Sequence, residues 1–237
     1  MALPKLNDMP KYSVNIPSMS TEVRIRPFVV KEEKILLIAM ESQDPKQIAH
    51  AIMDTIKSCV EEPLDTKKLT SYDVEYLFLQ IRAKSVGETS DILLTCEECQ
   101  TENEVKVDIS QVKIDGQVSD NKIKLTDQVT IQMKPPTYLQ VAENEKIVGE
   151  DATTMDRIFG LIVASISAVL TEEERIDFSE IKFEEAVEFL ESMTSDQFTK
   201  IREYMENQPT LKHKVEYTCS GCGSNQNVTL EGMQSFF

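Results

Sequence analysis

Leu93-Leu94-Thr95-Cys96-Glu97-Glu98-Cys99 and Val215-Glu216-Tyr217-Thr218-Cys219-Ser220-Gly221-Cys222 are two copies of one pattern. In each, a strand-like run ends on Thr-Cys-x-x-Cys, passes a polar turn and resumes as an alternating run, Glu104–Val107 after the first and Asn227–Leu230 after the second. Two residues between cysteines let both thiolates face one ion from a tight turn, and a structural zinc takes four ligands tetrahedrally. Cys96, Cys99, Cys219 and Cys222 supply four without any histidine, so the pattern predicts one structural Zn2+ site. Residues 100 to 218 separate the inner cysteines, far more than the roughly 15–20 of an ordinary ribbon. The prediction is therefore a split zinc ribbon with the intervening chain inserted between its halves, and metal binding coupled to folding.

Free or redox-active thiols are the competing reading. A redox Cys-x-x-Cys needs an electropositive setting that lowers a thiol pKa, whereas Glu97 and Glu98 lie between Cys96 and Cys99. No βαβ pattern surrounds either pair. Four cysteine ligands also leave no open position for catalysis by the metal. The fifth cysteine, Cys59, falls on an apolar helical stripe, where packing is the ordinary role.

Working outward, residues 1–18 carry Pro4, Pro10 and Pro17 and read as an extended N-terminal arm that does not fold by itself, with Tyr12, Val14 and Ile16 at strand spacing. Residues 19–90 read as a strand from Glu22 to Val30 and then helices. Ile35, Ile38 and Ala39 mark the first, Asp44-Pro45 opens the second, and Thr70 or Ser71 caps a third with Val74, Leu77, Phe78 and Ile81 as its buried stripe. Residues 91–110 form the first knuckle. Residues 111–210 hold strands up to Met133 and then helices, including an apolar stripe of Met155, Ile158, Phe159, Ile162, Val163 and Ile166 backed by small residues. Thr194 to Gln197 is a capping box. Residues 211–237 form the second knuckle and a tail ending in Phe236-Phe237. The fold class is α+β.

The chain of 237 residues has 25 basic and 41 acidic side chains, a net charge of −16. Binding nucleic acid needs clustered Lys and Arg, and a chain of this charge mostly repels it, so a basic or neutral protein partner is expected and no nucleic acid. Residues 1–34 are different: Lys5, Lys11, Arg24, Arg26, Lys31 and Lys34 against Asp8, Glu22, Glu32 and Glu33 give a local +2. Arg26, Lys31 and Lys34 are thus candidates for partner contact, or the lysines are simply the solvated start of a helix. Phe236 and Phe237 either fill the protein's own core or dock in a neighbour. No signal peptide is visible, and the longest apolar stretch, Gly160 to Leu170, is too short to span a bilayer. A protein of a reducing compartment is expected, with no membrane or small-molecule partner. His50 and His213 pair with no nucleophile motif, and no phosphate-binding loop or metalloprotease motif occurs, so no enzyme is expected.

Ala2-Leu3-Pro4-Lys5-Leu6, Arg26-Pro27-Phe28-Val29-Val30-Lys31-Glu32-Glu33-Lys34-Ile35-Leu36-Leu37, both knuckles and the closing Ser235-Phe236-Phe237 together resemble the baseplate hub subunit family of T-even-like contractile-tailed bacteriophages. The resemblance covers essentially the whole chain and implies a role in building the tail baseplate, in the cytoplasm of the infected host and in the virion tail. Partners are then other tail and baseplate proteins, with the tape-measure protein among the candidates. A transient assembly chaperone, absent from the finished particle, is the alternative.

Overall fold

The computed structural model describes residues 9–116, 120–149 and 151–236. The chain forms two compact units, one of residues 1–115 with 210–237 and one of residues 116–209.

The first unit opens with a hairpin of β1 (Tyr12–Ile16) and β2 (Thr21–Ile25), registered Tyr12 to Ile25 and Ile16 to Thr21. The expected arm is therefore partly folded. Pro10 and Pro17 flank the strand rather than interrupt it, Ile16 is fully buried, and the turn is fixed by Ser18, whose N–H and hydroxyl both donate to Asp73. Residues 1–8, with the Ala2–Leu6 segment of the resemblance, lie outside the described residues. The second strand stops at Ile25 instead of reaching Val30, because Arg26 and Glu61 carry the backbone pairing over to the end of the second helix and Pro27 has no N–H to give.

Three helices follow: α1 (Val30–Ser42), α2 (Pro45–Cys59) and α3 (Ser71–Ser85). Their starts have local causes. Asp44 accepts from Lys46 N–H ahead of Pro45, and Thr70 forms a reciprocal cap with Asp73. Of the apolar residues assigned to α1, Ala39 is buried but Ile35 and Ile38 are exposed. On α3, Val74, Leu77, Phe78 and Ile81 are all buried, as their spacing predicts.

Next come β3 (Thr89–Thr95) and β4 (Glu102–Asp108), an antiparallel hairpin, and the short β5 (Lys113–Asp115). The second unit begins with β6 (Lys122–Lys124) and β7 (Thr130–Met133), then α4 (Tyr138–Ala142), α5 (Glu145–Val148) and α6 (Thr154–Ser165). It continues with β8 (Ile166–Leu170), β9 (Arg175–Asp177), α7 (Phe183–Glu191) and α8 (Ser195–Glu206). Its sheet runs β6-β7-β8-β9, all antiparallel, over a core that includes Ile131, Met133, Ile166, Phe178, Leu190 and Ile201.

The α6 stripe departs from its sequence reading. Ile166 opens a strand rather than closing the helix, since Ser165 O accepts from Lys134 N–H and Ile166 registers with Met133. Sheet pairing wins there over helical periodicity, helped by the β-branched Ile166 and Val169. Met155 and Ile158 are exposed, and the buried side of α6 is instead Gly160, Ile162, Ala164 and Ser165. A Cβ on Gly160 would collide with Asn144 and Val148, so the glycine is what lets α5 pack there.

The chain re-enters the first unit as β10 (Thr210–Thr218) and β11 (Asn225–Glu231). The sheet order is β11-β10-β5, with Thr210 directly opposite Asp115. The last residue before the second unit and the first after it are thus ladder partners. Their separation is fixed by backbone hydrogen bonds, so a long excursion between them costs little closure entropy beyond what the sheet already imposes. The core of this unit gathers Leu79, Ile92, Val107, Ile109, Leu211 and Phe236.

Glu75 on α3 is a half-buried carboxylate in this unit and accepts from Met233 N–H at 3.3 Å. Burial raises its pKa, against a smaller lowering by that N–H. A raised folded value means that ionisation destabilises the fold. The cost is fully present above that value and gone below the ordinary carboxylate pKa of about 4.3. Glu75→Gln is therefore expected to raise the melting temperature at pH 7 and to leave it unchanged near pH 4, as calorimetry at the two pH values would register.

Candidate metal centre

The two hairpins β3–β4 and β10–β11 each end on a Cys-x-x-Cys turn built the same way. In the first, Cys96 N–H donates to Thr101 O at 2.9 Å and Gln100 N–H donates to Cys96 O at 3.0 Å. In the second, Cys219 N–H donates to Ser224 O at 2.8 Å and Gly223 N–H donates to Cys219 O at 2.9 Å. The residue after each second cysteine lies in the left-handed region, Gln100 at φ 60° and Gly223 at φ 77°. Gly221 has a steric role, since a Cβ there would collide with Thr101 Oγ1 on the opposite hairpin.

The four Sγ atoms all lie within 4.8 Å of one another, with Cys96 to Cys222 at 3.8 Å and Cys99 to Cys219 at 3.5 Å. Four thiolates at about 2.3 Å from a central ion in tetrahedral geometry would stand about 3.8 Å apart. This cluster could hold a metal ion. Each turn contributes one buried cysteine, Cys96 at 0% and Cys219 at 2% exposure, and one exposed, Cys99 and Cys222.

The local field favours thiolate where the chain is most enclosed. Cys219 is lowered to about 6, chiefly because Cys222 N–H points at its sulfur, with Gly221 N–H, Cys99 and Asn103 adding to the effect against burial. Cys96 is lowered too, first by Cys99 N–H. Cys59 is the contrast: buried in the first unit, its thiol is pushed up to about 11 by desolvation, so it is a packing residue.

Asn103, which its residue type alone did not single out, ties the two hairpins together. It is buried on β4, its Oδ1 accepts from Ser220 N–H at 2.8 Å and from Ser220 Oγ at 2.9 Å, and its Nδ2 faces Cys219 Sγ at 3.6 Å. An asparagine four residues beyond Cys99 in an otherwise alternating strand was the available signal. His213 is half-buried on β10 opposite Leu230. Six residues before Cys219, it stands roughly 20 Å back along the strand and is no ligand.

The residues proposed for partner contact fare differently from one another. Arg26 is half-buried and ion-paired to Glu32 at 3.0 Å, and its Nη1 donates to Pro27 O. Burial works to raise the Glu32 carboxyl, but Val29 N–H and the Arg26 guanidinium outweigh it and hold it low. That is an internal brace at the start of α1. Lys31 and Lys34 are exposed on α1. Phe236 is a core residue at 0% exposure, so of the two roles open to it, it takes the internal one. Phe237 lies outside the described residues.

Among the described residues no helix is long and apolar enough to cross a membrane. No curated protein and no solved structure matches the chain. A family model described as "T4 bacteriophage base plate protein" matches residues 9–237, taking in both hairpins, the inserted unit and α1. The chain therefore belongs to the T4 bacteriophage base plate protein family.

Proposed function

We propose that this base plate protein is a non-enzymatic component of the baseplate hub, that it binds other tail proteins, and that one structural zinc held by Cys96, Cys99, Cys219 and Cys222 locks its first unit. The observation that carries the zinc reading is the mutual approach of four sulfurs from two hairpins far apart in sequence, at separations that suit a tetrahedral ion. All-thiolate ligation suits zinc over magnesium or calcium, which prefer oxygen. Sulfurs of different hairpins approach to 3.8 Å (Cys96 to Cys222) and 3.5 Å (Cys99 to Cys219), whereas a redox Cys-x-x-Cys works through its own two thiols, so the arrangement speaks for shared ligation. When bound, zinc would supply cross-linking and no chemistry. The hub assignment rests on the resemblance of the opening and Arg26–Leu37 segments, and binding to tail proteins follows from the base plate family itself.

Metal analysis tests the zinc. The expected result is one equivalent of zinc per chain, with Cys59 resistant to alkylation in the untreated protein and the other four thiols reactive only after chelation. Less than half an equivalent, with all four thiols titrating freely in untreated protein, would refute the site. The hub role predicts that the protein is present in purified phage particles at fixed stoichiometry. Recovery only from infected-cell complexes would instead favour the assembly chaperone.

A further inference from the structure

α1 packs through one narrow side. Glu32 and Ala39 are its buried residues, whereas Val30 is 77% exposed and Leu37 and Ile38 are each 55% exposed. A helix with large apolar residues on its outer side is ordinarily covered. The charges on that side are ordered. Lys34, Leu37, Ile38 and Glu41 follow the three- and four-residue spacing that keeps side chains on one face, with the cation one turn before the apolar pair and the anion one turn after it.

From this order we infer that the exposed face of α1 is a two-fold contact with α1 of a second copy of this chain. If the axis passes midway between residues 37 and 38 of antiparallel helices, Leu37 meets the partner's Ile38 and Lys34 meets the partner's Glu41. Both pairs occur twice, as an isologous contact requires. The face as a whole is near neutral, so it does not suit a uniformly acidic or uniformly basic partner. It matches a helix with the same charges in reversed order, and this chain provides one. The contact goes beyond the zinc reading and does not depend on it.

The helix offers about 20 Å of length, so the total buried area is on the order of 1,000 Å², at the lower edge of specific interfaces. A weak dimer follows, strengthened where copies are held side by side.

Sedimentation velocity on the full-length metal-replete protein, from about 10 μM to about 500 μM, is the test. The expected result is a concentration-dependent monomer–dimer equilibrium that Leu37→Asp abolishes. Lys34→Glu and Glu41→Lys alone should each weaken it by about tenfold, and the two together should return it to within about threefold of the parent. These positions are exposed, and circular dichroism checks that each variant keeps the parent fold. A monomer at every concentration overturns the inference, even if another tail protein binds α1. So does a dimer indifferent to Leu37→Asp, or a double variant no better than either single one.

Discussion

Replacing Cys219 by serine is expected to empty the metal centre and loosen the first unit as a whole. Serine keeps the size of the side chain but offers a hydroxyl of much higher pKa, so the thiolate is lost. Spreading the binding free energy of a structural zinc over four ligands makes the loss of one worth on the order of a hundred- to a thousandfold in affinity. Cys219 should be the more damaging choice over the exposed Cys222, since its sulfur also takes Gly221 N–H and faces Asn103. The consequence reaches beyond the turn. Cys219 directly follows one end of β10, which pairs with β5 at the other end, where the chain enters and leaves the second unit. Zinc content, a competition titration with a chromophoric chelator and thermal unfolding would check this together. A variant that holds a full equivalent of zinc at parental affinity would show that Cys219 is not a ligand.

Phe236→Ala is expected to cost about 3–5 kcal/mol, the usual price of emptying a fully buried phenylalanine site. Its ring is 0% exposed, and it belongs to the same core as Leu79, Ile92 and Leu211. Its carbonyl accepts from Ser90 Oγ at 2.9 Å, fastening the chain's end to β3 of the first hairpin. A melting temperature lower by roughly 10 °C should follow for a protein of this size. A change below about 1 kcal/mol in denaturant unfolding would mean that this residue does not close the core. Phe236→Leu should recover most of the loss, because apolar volume rather than aromaticity fills the site.

The local signals carried a good deal of this molecule. Asp44-Pro45, Thr70 with Asp73 and Thr194 with Gln197 cap helices where their chemistry demands, because each cap is an interaction within three residues. The duplicated Thr-Cys-x-x-Cys pattern named the four cysteines that come together, since each turn is itself a local structure and only their meeting is distant. The base plate family was legible as well, through the motifs that carried the resemblance.

Tertiary structure decided what depends on which neighbour wins. Ile166 has the periodicity of the helix before it, yet it joins a strand because Met133 is there to pair with it. Arg26 is a cation like Lys31 in the sequence, but Glu32 claims it as an internal brace. Phe236 had two equal prospects, and a core that joins Leu79, Ile92 and Val107 from far upstream to the nearby Leu211 and Leu230 settled it inside. Tyr12–Ile16 looked like a free arm until Thr21–Ile25 and Asp73 supplied its partners. In each case the sequence by itself determined the chemistry a side chain could offer, through spacing and residue type. The fold determined whether that offer met a partner, because burial and pairing are properties of what lies across space rather than along the chain.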